Sequence, residues 1–264
     1  MPAVFLGESN MKQAQPVSQE ALDRILPRVA RPARYSGGEW NSVVKDWQSV
    51  PVHLALVFPD LYEVGMSNLG LAILYELLND RPYILAERAY TPWPDMEAAL
   101  RQARLPLYSL ESRRPLFQFD IIGFSLGYEL TYTNVLKTLD LAGIPLLASE
   151  RRDEDPLVVG GGTCTMNPEP VADFFDLLVV GEGEEVILEL LDAYRTWKAG
   201  ARRTRKDFLK QAAGILGIYV PSLYEVTYHS DGTVEAIRPV APEAPARITR
   251  RWVRKLPPPP VRPV

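Results

Sequence analysis

A chain of 264 residues that is 47% hydrophobic holds enough apolar material for one large domain or two modest ones. Its 29 Lys and Arg against 33 Asp and Glu leave a formal charge of −4, so no global attraction draws it to nucleic acid or to an anionic membrane. A single cysteine, Cys164, excludes an internal disulfide framework and cannot alone hold a zinc ion or an iron–sulfur cluster. Residues 1–8 lack a basic stretch followed by a long apolar core, and no apolar run approaches the length of a membrane span. The expectation is a cytoplasmic protein.

In chain order, residues 1–49 form a mixed arm with one amphipathic helix, 18–26, followed by Pro27, Pro32 and the turn-like pair Gly37 and Gly38. Residues 52–58 are apolar apart from His53, the pattern of a strand covered on both faces by helices. A loop, 59–68, then leads to a helix whose Leu69, Ile73, Leu74, Leu77 and Leu78 share one stripe, with Ser67 and Asn68 available as caps. Strands are predicted at 84–90, 120–125, 145–148, 157–159 and 177–180, and helices at 94–103, 131–142 and 184–197. This alternation predicts an α/β fold with a doubly wound parallel sheet over residues 50–200. Beyond it lie a basic run, 202–206, a helix over 207–216, and a short apolar run, 218–220. A hairpin then turns at Asp231 and Gly232, completing a small α+β appendage at 201–255. The proline-rich end, 256–264, is extended and reads as a linker to a missing domain.

Small residues mark successive strand ends: Gly65, Ser125 with Gly127, Gly160 with Gly161 and Gly162, and Gly181 with Gly183. Any one of them is explained by a tight strand-to-helix turn; their recurrence points to a ligand that approaches the backbone closely, beyond the carboxyl ends of the strands. A pyrophosphate is disfavoured, because Val186 stands where a dinucleotide loop needs its third glycine and Glu182, Glu184 and Glu185 repel it. A phospho-receiver site needs an aspartate where Ser125 stands. His53 within a strand and His229 in the hairpin are poorly placed as bases. Cys164 reads as an inert, partly buried thiol, and Asp60 with Glu63 as loop hydrogen-bonding groups rather than a catalytic pair.

Together these stretches resemble a known pattern. Asp60-x-Tyr62-x-x-Gly65, Ser125-Leu126-Gly127 and Gly160-Gly161-Gly162 are similar to the motifs of cobalamin-binding domains. The run 59–70, the stretch 34–46 with its Gly37-Gly38-Glu39, and Gly181-Glu182-Gly183-Glu184-Glu185 resemble the amino-terminal domain of radical S-adenosylmethionine (SAM) proteins that carry a cobalamin-binding-like domain. The resemblance spans about residues 28–264. It implies a flavodoxin-like sheet of order 2-1-3-4-5, a base-off cobalamin against Asp60, Tyr62, Gly65, Ser125, Gly127, Gly160–Gly162, Gly181 and Gly183, and no catalysis by this chain alone. Tyr62 replaces the histidine that ligates cobalt in cobalamin-dependent mutases and methyltransferases, so the cofactor is expected to lack a histidine axial ligand. With Cys164 alone, the C-x-x-x-C-x-x-C of a [4Fe-4S] cluster is missing. The cluster and S-adenosylmethionine are therefore expected in a radical SAM catalytic domain, in cis or in trans, and the chain as a fragment, a truncated frame or a stand-alone accessory domain. The alternative is a vestigial cobalamin-type domain that acts as a protein-interaction or substrate-positioning module; an independent small-molecule enzyme is the weakest reading, since no acid–base pair stands out.

Overall fold

Ser18 accepts a hydrogen bond from the Ala21 amide and starts α1 (Gln19–Ile25) within an arm that leads to the sheet. The computed structural model describes residues 15–201, 204–256, 258, 262 and 264. The first 14 residues of the arm, residues 202 and 203 of the basic run, and residues 257, 259–261 and 263 of the proline-rich end lie outside the described residues.

The apolar run becomes β1 (Val52–Phe58), buried along its whole length. The following loop contains a single helical turn, α2 (Tyr62–Gly65), before Asn68 caps α3 (Leu69–Asn79) by accepting from the Leu71 amide. Next come β2 (Ile84–Tyr90), α4 (Pro94–Ala103), β3 (Ile121–Ser125), α5 (Tyr132–Ala142), β4 (Leu157–Gly161), β5 (Leu177–Val179) and α6 (Gly183–Lys198). After α7 (Arg205–Ala212), β6 (Ile218–Tyr219) returns to the sheet, and β7 (Tyr224–Tyr228) and β8 (Val234–Pro239) form the predicted hairpin.

The sheet runs β2-β1-β3-β4-β5-β6, parallel through β5, as the order 2-1-3-4-5 requires. Strand periodicity sorts β1 between two cores. Ala55 and Val57 join α4, α5 and the arm residues Leu22 and Ile25, whereas Leu54, Leu56 and Phe58 face α3 and α6. Helices on both faces make the fold doubly wound. Among the described residues, no helix is long and apolar enough to cross a membrane.

Two elements differ from the reading of the sequence. Residues 145–148 form no strand, because the carbonyls of Pro145 and Leu146 accept the Arg151 guanidinium, at 3.0 and 2.7 Å, instead of pairing with a neighbour. Ile218 and Tyr219, expected in the appendage, pair antiparallel with Val179 and Leu178 and extend the main sheet. Arg151 and Arg205 converge on Asp176, just before β5, in a buried ion-pair cluster that ties β4, β5 and α7 together.

The free edge of β2 is occupied by side chains. Asn79 donates to the Ala86 carbonyl and accepts its amide, at 2.9 and 3.1 Å. The Arg88 amide donates to Glu111 at 2.7 Å, the Arg88 carbonyl accepts the Leu110 amide at 2.8 Å, and Lys45 caps the Ile84 carbonyl at 2.5 Å.

Candidate functional site

Because β1 to β5 are parallel, their carboxyl ends and the loops that follow them share one edge of the sheet. Strand order reverses between β1 and β3, the place where doubly wound folds hold ligands. The loops there are tied together. Asp60 accepts the Leu61 amide through Oδ1 and the Tyr128 hydroxyl through Oδ2, both at 2.7 Å, and Asn134 donates to the Pro59 carbonyl at 3.0 Å. The Asp60 carboxylate beside it pushes the Tyr128 phenol up from its ordinary value.

Tyr62 turns away from this crevice. Its ring stands edge-on to Tyr90, centroids 5.3 Å apart, and its hydroxyl donates to Glu39 Oε1 of the arm at 3.0 Å. Burial, reinforced by Glu39, raises its pKa, so the phenol stays neutral. Behind it, Glu39 lies 3.1 Å from Arg88 Nη2, and Arg88 Nε donates to Glu111 at 2.7 Å beneath the Tyr75 ring. Burial pushes Glu111 up to about 7 despite Arg88 beside it. Glu63 instead takes Arg31 and Arg34, each at 2.8 Å, and the Arg31 hydrogen bond is the main cause that holds it down to about 2. The arm thus grips the loop through two neighbouring residues.

The glycines divide by role. Gly65 has no room for a side chain, since a Cβ would meet the Tyr90 ring at 2.5 Å, and Gly160 is closed in by Leu178, Leu126 and Phe175. Gly181, at φ +110°, lies against the backbone of Arg251, whose amide donates to Val180 at 2.8 Å; what its missing side chain admits is the chain's own C-terminal segment. Gly183 faces α3. Gly127 has open space where a side chain would stand, and its carbonyl accepts the Thr163 hydroxyl at 2.7 Å; the Gly161 carbonyl accepts the Leu126 amide at 2.6 Å, with Ser125 paired to Gly161 across the strands and Gly162 against the Leu126 carbonyl. The structure therefore brings Asp60, Ser125, Gly127, Gly161 and Gly162 to one edge, and turns Tyr62, Gly65, Gly160, Gly181 and Gly183 to internal contacts.

Around that edge stands an apolar rim. Val64 and Met66 come from the β1 loop, Leu69 from the first turn of α3 that follows it, Trp93 from the β2 loop, Leu130 from the β3 loop and Met166 from the β4 loop; Leu130 is 85% exposed. The elements that reasoning from sequence missed are this rim and the Glu39–Arg88–Glu111 chain; the signal for the latter was Glu87-Arg88, a charged pair inside an otherwise apolar strand.

At the opposite edge His53 stacks on Trp47 at 3.7 Å, and its Nδ1 lies 3.2 Å from Asp120, which also accepts Lys198 at 2.5 Å. Burial alone raises the Asp120 pKa, but His53 and Lys198 outweigh it and hold it below the usual range. His53 is a packed side chain, as its place within the strand suggested. Cys164 is buried, and burial pushes its thiol up. Among the described residues, no group of three or more His, Cys, Asp or Glu is placed to hold a metal ion.

Residues 70–221 match the model of the family described as radical SAM proteins, N-terminal, a span from α3 past β6 that begins after the Asp60–Gly65 loop. An uncharacterized protein of Methanocaldococcus jannaschii is 27% identical over 144 residues, which are 53% of this chain and 26% of that protein. The match therefore spans about a quarter of that relative's length. No solved structure matches the chain. With more than half of its residues on the family model, the chain belongs to the N-terminal family of radical SAM proteins.

Proposed function

We propose that the chain is a non-catalytic module that presents the carboxyl edge of its sheet to a radical SAM catalytic domain, in cis or in trans. The observation that carries this reading is the apolar rim, contributed by four successive strand-end loops. A patch of that kind on a charged protein marks an interaction surface. The ionisable groups of the β1 loop are engaged within the chain: Asp60 by Tyr128, Tyr62 by Glu39, and Glu63 by Arg31 and Arg34. That engagement supports a presenting rather than a reacting role.

The test uses a separately expressed catalytic domain of the family. Replacing both Leu130 and Met66 by Asp is expected to weaken its association at least tenfold, since each exposed side chain buried at an interface contributes roughly 1.5–3 kcal/mol. Val44→Asp, an exposed apolar residue next to Lys45 at the amino end of β2, leaves it unchanged. Equal affinity of the rim variant removes the reading.

The open space beside Gly127, where an added Cβ would meet nothing within 4 Å, favours a second reading, in which a base-off cobalamin lies across the same edge. When bound, such a cofactor supplies methyl-transfer or radical chemistry to the catalytic domain, which also contributes the [4Fe-4S] cluster and S-adenosylmethionine. Tyr62 does not fit the axial position, because its hydroxyl is committed to Glu39 and its phenol is held neutral. Titration with methylcobalamin, followed by the visible spectrum, tests this; no change at high micromolar concentration removes it. Tyr62→His is expected to leave the spectrum of the complex unaltered, because residue 62 faces Glu39 rather than the edge.

A further inference from the structure

Away from the β1 and β3 loops, a cavity of about 860 Å³ opens at the carboxyl ends of β4 and β5. The loop after β4, β6 and the β7–β8 hairpin build it, and Met166, Tyr219, Tyr224, Ile237 and Ile248 give it apolar and aromatic walls. One rim is the segment 246–250. That segment is pinned at both ends: the Tyr224 hydroxyl donates to the Pro245 carbonyl at 2.7 Å, and Arg251 pairs with Val180 and Glu182 through its backbone, at 2.8 and 3.0 Å. Between these pins Arg247 and Arg250 stand exposed on the lining, and among the described residues neither has an ion pair or a hydrogen bond. Their neighbour Arg251 differs, being taken up by Glu185 and Glu189. The one carboxylate on the lining, Glu169, accepts the Tyr219 hydroxyl at 2.6 Å.

Two uncommitted guanidinium groups and one engaged carboxylate leave the cavity positive on a chain whose formal charge is −4. We propose that the cavity binds a small organic anion with a flat apolar body. Arg247 and Arg250 take its phosphate or carboxylate head, and Tyr219, Tyr224 and Met166 take its body. The planar fork of arginine matches both heads through paired hydrogen bonds. Tyrosine faces and the thioether of methionine suit a flat ring. The volume lies within the range of small-molecule sites. Because both ends of the rim are held by hydrogen bonds, one from the Tyr224 hydroxyl and the other through the Arg251 backbone, the arginines stand near their binding positions without ordering a loop first. The site shares Met166 with the apolar rim but none of the rim's other residues, and it does not depend on the partner proposed for that rim.

The test is titration of the whole chain with 1-naphthyl phosphate, read by naphthyl fluorescence, with 1-naphthol and inorganic phosphate as the two halves of the probe. Saturable one-to-one binding is expected, with each half at least about tenfold weaker than the whole, because head and body each contribute. The double substitution Arg247→Gln and Arg250→Gln is expected to weaken binding at least about tenfold through loss of charge-assisted hydrogen bonds. Its melting temperature stays that of the unaltered chain, since neither side chain has an internal partner. The control Arg28→Gln with Arg238→Gln makes the same change of net charge outside the cavity and leaves the affinity unchanged. The proposal is overturned by absence of saturable binding, by 1-naphthol binding as tightly as its phosphate, or by the control weakening the probe as much as the double arginine variant does.

Discussion

Asp176→Ala is expected to destabilise the protein by about 3–5 kcal/mol, the scale for removing one partner of a buried charge cluster. The carboxylate accepts Arg205 Nε and Nη2 at 2.8 Å each, Arg151 Nη1 at 2.9 Å and the Val158 amide at 2.7 Å. Arg151 is fully buried, and the Arg205 side chain is 9% exposed. Their remaining donors go to backbone carbonyls of residues 145, 146 and 174 for Arg151 and of residues 152, 155 and 156 for Arg205. Neither guanidinium can leave without abandoning those bonds, so the variant confines two like charges in a dry site with no counter-charge. Burial already lowers the Arg151 pKa from its usual value, with Arg205 adding to it against the pull of Asp176. The measurement is the denaturant midpoint, supported by a fall in melting temperature on the order of 10 °C. A midpoint unchanged from the parent chain means that water enters the site.

Arg88→Met is expected to cost a similar amount and to do so in a pH-dependent way. Glu111 is buried against Arg88 and Tyr75, and burial pushes its pKa up to about 7 even with the cation present. Without Arg88 the folded-state value rises further, while the unfolded value stays near 4.5. Below about pH 7 both folded proteins keep the proton, so this part of the deficit is small. Above it the parent chain has ionised Glu111, whereas the variant retains a proton that its unfolded state releases. Each further pH unit then adds up to about 1.4 kcal/mol until the new folded-state pKa is passed. Denaturation midpoints at about pH 6 and about pH 8.5 read the effect, and a gap between variant and parent that does not widen with pH contradicts it. The same substitution frees Glu39, the acceptor for Tyr62, so the β1 loop is expected to loosen from the arm.

The parallel sheet was legible because five of its strands are short apolar runs placed between helices of correct period, and burial on both faces leaves such runs little alternative. Residues 145–148 have the same composition but precede Arg151, whose guanidinium claims the carbonyls of Pro145 and Leu146; a side chain that competes with a ladder leaves no trace in an apolar pattern. β6 was missed as part of the main sheet because two residues suffice for an antiparallel edge pair. At the candidate site, strand-end position was readable from Asp60, Ser125 and the glycines. Side-chain direction was not, since the acceptor for Tyr62 sits 23 residues upstream in the arm and the donor to Asp60 lies 68 residues downstream. Gly181 looked like a ligand glycine and serves the chain's own C-terminal segment, a distinction that rests on a contact 70 residues away in sequence.

The side chains set along the outer margin of β2 have a consequence for assembly. An exposed seven-residue strand is a template for another chain, and it invites fibrils or β-augmentation by peptides. Here the carbonyls of residues 84, 86 and 88 and the amides of residues 86 and 88 are already spent on Lys45, Asn79, Glu111 and Leu110. An incoming strand must displace a lysine, an asparagine and a buried glutamate for each turn of pairing it gains. At the other margin β6 offers only two residues. The sheet is therefore sealed against growth by backbone pairing, and recruitment of another polypeptide is left to side-chain surfaces.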